Sequence, residues 1–239
     1  MPRSKFSRNV FVNCPFDEEY MPLLRPLLFT LLYLGFNPRI ALEKTDSGNP
    51  RVARILKLIR ESGLAIHDLS RLAANKKGEV ARFNMPFELG LDIGSISFGP
   101  TKLRQKKCLI LEEQRFRYQA ALSDLSNSDI LAHKGKPSEV VAKVRYWLVQ
   151  EVLCTGPSAT EIWTSFNYFM GHLYDKLTAD NFSKKDIASL PVCELLAHME
   201  SWATDNQRDK VTKEKGGAVI AKTVTLKRKN RRPSGRRVK

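Results

Sequence analysis

Short apolar runs alternate with longer amphipathic stretches over roughly the first 150 residues, and that alternation sets the expected fold. Asn9-Val10-Phe11-Val12-Asn13-Cys14 is apolar, is closed by Pro15, and predicts a buried first strand. Asp17, Glu18 and Glu19 suit the entry of a helix carrying Tyr20, Leu23, Leu24, Leu27, Leu28, Leu31, Leu32 and Leu34, with Gly35 as its stop. Pro22 falls in the first turn, where proline is tolerated, and Pro26 lies deeper, where it should kink the helix.

Residues 37–43 predict a second strand, and Asp46-Ser47-Gly48-Asn49-Pro50 a turn. A helix follows over Arg51–Ser62. Its spacing puts Val52, Ile55, Leu56 and Ile59 on one face, and Arg51, Arg54, Lys57 and Arg60 on the other. Gly63 ends it, and Leu64-Ala65-Ile66 predicts a third strand running out to His67, Asp68, Ser70 and Arg71. Residues 72–82 read as a polar loop, then a helix starts near Met85 and reaches about Gly94. Residues 107–111 and 129–133 predict the fourth and fifth strands, and Pro137 opens a strong helix through Val152.

Strand and helix in regular alternation imply parallel strands joined by helical crossovers. The fold class expected is α/β: a flavodoxin-like, doubly wound layer sandwich of about five parallel strands, with a C-terminal helical appendage and a disordered basic tail. The expected boundaries are 1–153 for the α/β domain, 154–207 for the appendage and 208–239 for the tail. The appendage should pack on the sheet domain or on a second copy.

Charge sharpens this division. Residues 208–239 hold 13 Lys or Arg against Asp209 and Glu214, which is +11 of the chain's +15 and leaves +4 for the rest. The body is therefore only mildly basic. The tail is a polycation without aromatic residues, able to bind nucleic acid non-specifically or to act as a solubilising extension. The apolar-leaning stretch from Tyr20 to Phe36 is broken by Pro22, Arg25 and Pro26, so no membrane span is expected. No secretory signal is read at the N-terminus, and the expected setting is cytoplasmic. The four cysteines are far apart and unpaired in spacing, so they read as small hydrophobes, with no metal site expected.

Candidate chemistry gathers where the third strand ends. Open α/β sheets bind ligands beyond the carboxyl ends of their strands. Asp68 would sit at that edge, Glu88 in the first turn of the next helix, and Ser70, Arg71 and Asn84 nearby. Asn13 and Phe16 follow the first strand onto the same edge. Glu88 reads as a nucleophile or base at an anomeric carbon, or as a first-turn acid compensating the helix dipole. Asp68 reads as a ribose ligand or as a turn cap. His67 reads first as a satisfied hydrogen-bond partner, Arg71 as a phosphate ligand or a surface residue, and Asn84 as a helix cap. Phe16 stacks on a base or belongs to the core. No G-x-G-x-x-G, Walker, G-x-S-x-G or H-E-x-x-H pattern occurs.

Three stretches carry a family resemblance: Asn9–Asp17, Ile66–Arg71 and Arg82–Gly90. Together they resemble bacterial TIR-like proteins. The Asp68-Leu69-Ser70 strand end followed by Phe87-Glu88-Leu89-Gly90 is also similar to nucleoside 2-deoxyribosyltransferases. The likeness covers about residues 9–150. It departs at Asn13-Cys14-Pro15-Phe16, where the transferases have a glycine-rich loop. The resemblance implies N-glycosidic cleavage at C1′ of a nucleoside or of NAD, with NAD as substrate and no cofactor. Glu88 would act at the anomeric carbon and Asp68 would match the strand-end acid. Self-association and a role in bacterial stress or phage defence are also implied. The alternative is a non-catalytic module that senses a nucleotide or binds a protein, tethered to nucleic acid by its tail.

Overall fold

The structure is a computed structural model that describes residues 5–41, 50–72, 83–125 and 129–205. The end of the predicted second strand at residue 43, nearly all of the 72–82 loop and the basic tail lie outside the described residues.

Five strands form one sheet: β1 (Asn9–Asn13), β2 (Asn37–Ile40), β3 (Leu64–Asp68), β4 (Lys107–Glu112) and β5 (Ile130–Ala132). All neighbours are parallel, in the order β2-β1-β3-β4-β5. The order reverses between β1 and β3, which makes that junction the topological switch point. Both strands are buried along their whole length.

A single turn, α1 (Lys5–Arg8), precedes the sheet. Helices α2 (Met21–Tyr33) and α6 (Pro137–Leu148) pack together on one face, and α3 (Arg51–Glu61) and α4 (Asn84–Phe98) on the other. The fold is therefore doubly wound. A short helix, α5 (Thr101–Arg104), links α4 to β4.

Local sequence explains most boundaries. Helix α2 ends in a left-handed Gly35, φ +78°, where the Gly35 and Phe36 N–H groups donate to Leu32 O and Leu31 O. Thr30 Oγ1 donates to Pro26 O at 2.7 Å, within the same helix. Gly63 starts β3 under the N-terminal segment: a Cβ there would stand 2.8 Å from Phe6 O. Helix α3 differs from expectation in its register. Ile55, Leu58 and Ile59 pack on Phe11 and Ala65, whereas Val52 and Leu56 are exposed. The sheet selects the stripe centred on Leu58, a position that the sequence pattern alone did not distinguish.

Beyond α6 the chain makes one wide π-helical turn (Val149–Leu153), then α7 (Ala159–Ala179), α8 (Lys184–Ala188) and α9 over 192–205. Phe166 and Phe169 of α7 meet Phe29 of α2, each with centroids 5.5 Å apart. Helix α7 thus packs on the chain's own sheet domain. The chain divides into two units, Met1–Met199 and Glu200–Lys239; residues 200–205, the described part of the second, are helical. Among the described residues, no helix is long and apolar enough to cross a membrane.

Candidate functional site at the carboxyl edge of the sheet

Parallel register brings Asn13, Asp68, Glu112 and the residues after β5 to one edge. Two polar groupings form there, one on each face of the sheet.

The first lies toward α2 and α6 and centres on Asp68, which is fully buried. Tyr20 Oη donates to Asp68 Oδ2 at 2.5 Å, and the Ser70 N–H donates to Oδ1 at 2.9 Å. The Ser70 hydroxyl also donates to Oδ1. His133 Nε2 stands 3.1 Å from Oδ2 and 2.9 Å from Ser70 Oγ. Burial pushes the Asp68 carboxyl up, but the hydrogen bonds from His133, Ser70 and Tyr20 outweigh it and hold the group below the ordinary range.

Serine, histidine and aspartate thus meet, but not as a catalytic triad. His133 Nδ1 accepts the Gly135 N–H at 3.1 Å, so the ring proton resides on Nε2. That nitrogen faces both Ser70 and Asp68 as a donor and has no lone pair to take the serine proton. Next to this cluster, the fully buried Glu112 receives Arg117 Nη2 at 2.5 Å, while the same nitrogen donates to Ser70 O at 2.6 Å. The carboxyl ends of β3 and β4 are thereby tied together.

Tyr20→Phe is expected to remove one donor from a buried carboxylate and to cost about 1.5–3 kcal/mol. Urea unfolding of the two proteins measures it.

The second grouping lies toward α3 and α4. Asn13 Nδ2 donates to His67 Nδ1 and to Met85 O, each at 3.0 Å. Those two acceptors fix the amide orientation and leave Asn13 Oδ1 buried without a partner. One turn beyond Met85 stands Glu88, 3% exposed. Its Oε1 is 3.8 Å from Arg51 Nη2, on α3. Burial pushes the Glu88 carboxyl up to about 7, and the Arg51 charge opposes that rise. Glu88 is the fifth residue of α4, in its second turn, so it lies past the reach of simple dipole compensation in the first.

Deeper on this face, His67 Nε2 donates to Asp92 Oδ2 at 2.9 Å, and Lys106 Nζ donates to Asp92 Oδ1 at 2.5 Å. Because Nδ1 accepts from Asn13, His67 is the neutral Nε2–H tautomer. Burial lowers its pKa, with Asp92 partly opposing. His67, Asp92 and Cys108 come within 4.8 Å of one another, a set with metal-ligand chemistry. Here the Lys106 ammonium already provides the cation, and the His67 nitrogen facing the set carries a proton. Burial raises the Cys14 thiol well above its usual value, and the Asp68 and Glu88 charges raise it further, which disfavours the thiolate.

The residues expected at the site are therefore divided. Asn13 and Glu88 share the α4 side of the switch point. Asp68 and Ser70 belong to the α2 side, and no described hydrogen bond or ion pair links Asp68 to Glu88. Arg71 differs from the ligand reading: its Nη2 reaches Glu19 Oε2 at 2.7 Å and Asp17 Oδ1 at 3.3 Å, a surface ion pair. Asn84 is not the cap: it is the exposed first residue of α4, whose N-cap is Phe83 with no side-chain bond. Phe16 lines a cavity on the α2 side, away from Glu88. Tyr20, Asp92, Lys106, Glu112 and His133 were not singled out in sequence, because only the sheet topology assembles them.

Comparisons with protein-family models, with curated proteins and with solved structures found no match to this chain.

Proposed function

We propose that this protein cleaves an N-glycosidic bond, in NAD or in a nucleoside or nucleotide, with Glu88 acting at C1′. The observation that carries the reading is the Glu88 carboxyl itself: buried beside the switch point, near Arg51, and raised to about 7. Carboxyls so placed are suited to proton transfer or to charge stabilisation near neutral pH.

In this reading the ionised Glu88 faces C1′ as the C–N bond breaks and the base departs with the bonding electrons. The carboxylate either stabilises the oxocarbenium-like centre or closes on it as an ester, which water then hydrolyses. Nicotinamide leaves NAD as a neutral base, whereas an ordinary nucleobase leaves as an anion that takes its proton from water. Asn13 Oδ1, the orphaned acceptor of a side chain bonded to Met85 O on the helix that carries Glu88, would take a sugar hydroxyl or a base N–H. Asp68 has its oxygens engaged, so its part is to hold the β3 end rigid rather than to grip the sugar. With Glu88 only 3% exposed, substrate entry requires neighbouring side chains to move, and the half-exposed Arg51 lies 3.8 Å from its carboxylate.

A second reading is a non-catalytic module that binds a nucleotide or a protein. It is favoured by the closed network at the β3 end, where Asp68, Ser70 and His133 bond mainly to one another.

Incubation with NAD and with a nucleoside panel, read as released base, separates the two. Full-length protein and a 1–207 truncation are both expected to release base at similar rates. Absence of release from every substrate, together with salt-dependent nucleic-acid binding lost on truncation, would favour the second reading.

A further inference from the structure

The α2 face carries a cavity of about 860 Å³, walled by Phe16 and Met21 from the β1–α2 region, by Trp163, Phe166 and Met170 of α7, and by Arg25. Most of this wall is apolar, yet a guanidinium projects into it. Arg25 Nη2 donates to Ala188 O at 2.7 Å, and Arg25 Nε is buried without an acceptor. No described carboxylate forms an ion pair with Arg25. The acids on the cavity wall are engaged elsewhere or solvated: Asp17 is bonded to Arg71 and to the Tyr20 N–H, and Glu18 is exposed. Lys185 adds a second, exposed cation to the wall.

A half-buried guanidinium with five donors, one of them bonded to a carbonyl, is costly to keep in an apolar wall. Arginine suits planar carboxylates, which it engages with paired N–H groups, and an indole beside it suits a flat apolar body. We propose that this cavity is a binding site for a small aromatic carboxylate, with Arg25 as the anchor for the anion and Trp163, Phe166 and Met170 as the seat of its ring. Glu88 is not among the residues that line this cavity, and the test succeeds or fails independently of the glycosidic reading.

The probes are 2-naphthoate and its neutral analogue 2-naphthalenemethanol, titrated calorimetrically into the full chain. The naphthoate is expected to bind about tenfold tighter or more, equivalent to one decade in Kd. In Arg25→Met the stem packing is retained and the charge removed. Naphthoate affinity should then fall to that of the alcohol, while the alcohol binds as before. Arg25→Lys should recover part of the difference. The melting temperature of unliganded Arg25→Met should be unchanged or higher, since no carboxylate is left stranded. The proposal is overturned if wild-type protein binds acid and alcohol equally, if it binds neither at millimolar concentration, or if Arg25→Met binds naphthoate as wild type does. The wild-type comparison stands even if a variant fails to fold.

Discussion

Glu88→Gln should lose base-releasing activity by about 10²–10⁴-fold, the range for a positioned carboxyl that takes part in the reaction. It should also make the protein more stable at neutral and alkaline pH. The sign follows from the raised pKa. Folded Glu88 holds its proton up to about 7, whereas the unfolded chain releases it near the ordinary 4.5. The proton-bound form is thus favoured by folding, and its stabilising contribution is complete below pH 4.5. That contribution is lost as pH rises from 4.5 to 7, and above 7 the folded protein carries a poorly solvated carboxylate. Glutamine mimics the protonated acid at every pH.

The stability difference between Glu88→Gln and wild type should therefore vanish below pH 4.5, grow between 4.5 and 7, and level off above it. Its plateau is up to about 3 kcal/mol, less whatever Arg51 and solvent screening return. Melting curves at several pH values give the profile. The wild-type kcat/KM should rise through pH 7 and then level, because the ionised form acts at C1′. A residue that merely stabilised α4 would show neither the activity loss nor the stability gain.

Asp92→Ala should destabilise the protein by about 3–5 kcal/mol, the cost of leaving one partner of a buried pair uncompensated. Lys106 and Asp92 side chains are both wholly inaccessible, 2.5 Å apart. Burial already lowers the Lys106 pKa against the pull of Asp92. Without Asp92 the ammonium must shed its proton or unfold the α4–β4 contact, and His67 Nε2–H loses its acceptor. Replacing both members, Asp92→Leu with Lys106→Met, should recover most of the loss, because buried ion pairs seldom outweigh well-packed apolar ones. Denaturant midpoints of the single and double variants form the check. A loss below 1 kcal/mol for Asp92→Ala would mean that the pair is solvated.

The layer architecture was readable from the sequence because its signals are local. A six-residue buried run, Asn9–Cys14, closed by Pro15, a helix stopped at Gly35 and a strand that follows Gly63 each depend on neighbours within a few positions. Phe87-Glu88-Leu89-Gly90 drew attention to Glu88 through a resemblance, and the structure places that side chain buried on α4, 3.8 Å from Arg51. The partners of the expected residues were not readable. Asp68 meets Tyr20 and His133, 48 and 65 positions away, only because β1, β3 and β5 end at the same edge. Strand alternation then turns Asp68 toward α2, while Asn13 turns toward α4, so two polar side chains that share an edge occupy opposite faces. The face assignment depends on register, which a run as short as Leu64-Ala65-Ile66 does not disclose. Arg25 shows the same limit, since a cation on an apolar helix looks solvent-bound until the chain returns to bond it at Ala188.

Everything catalytic in this account turns on a single acid whose proton leaves near neutrality. Carboxyl carbon NMR of glutamate-labelled protein, with Glu88→Gln to assign the resonance, reads that titration directly. A midpoint near pH 7 is the expected result. A midpoint near 4.5 would mean that Glu88 is an ordinary solvated side chain, and would contradict the account.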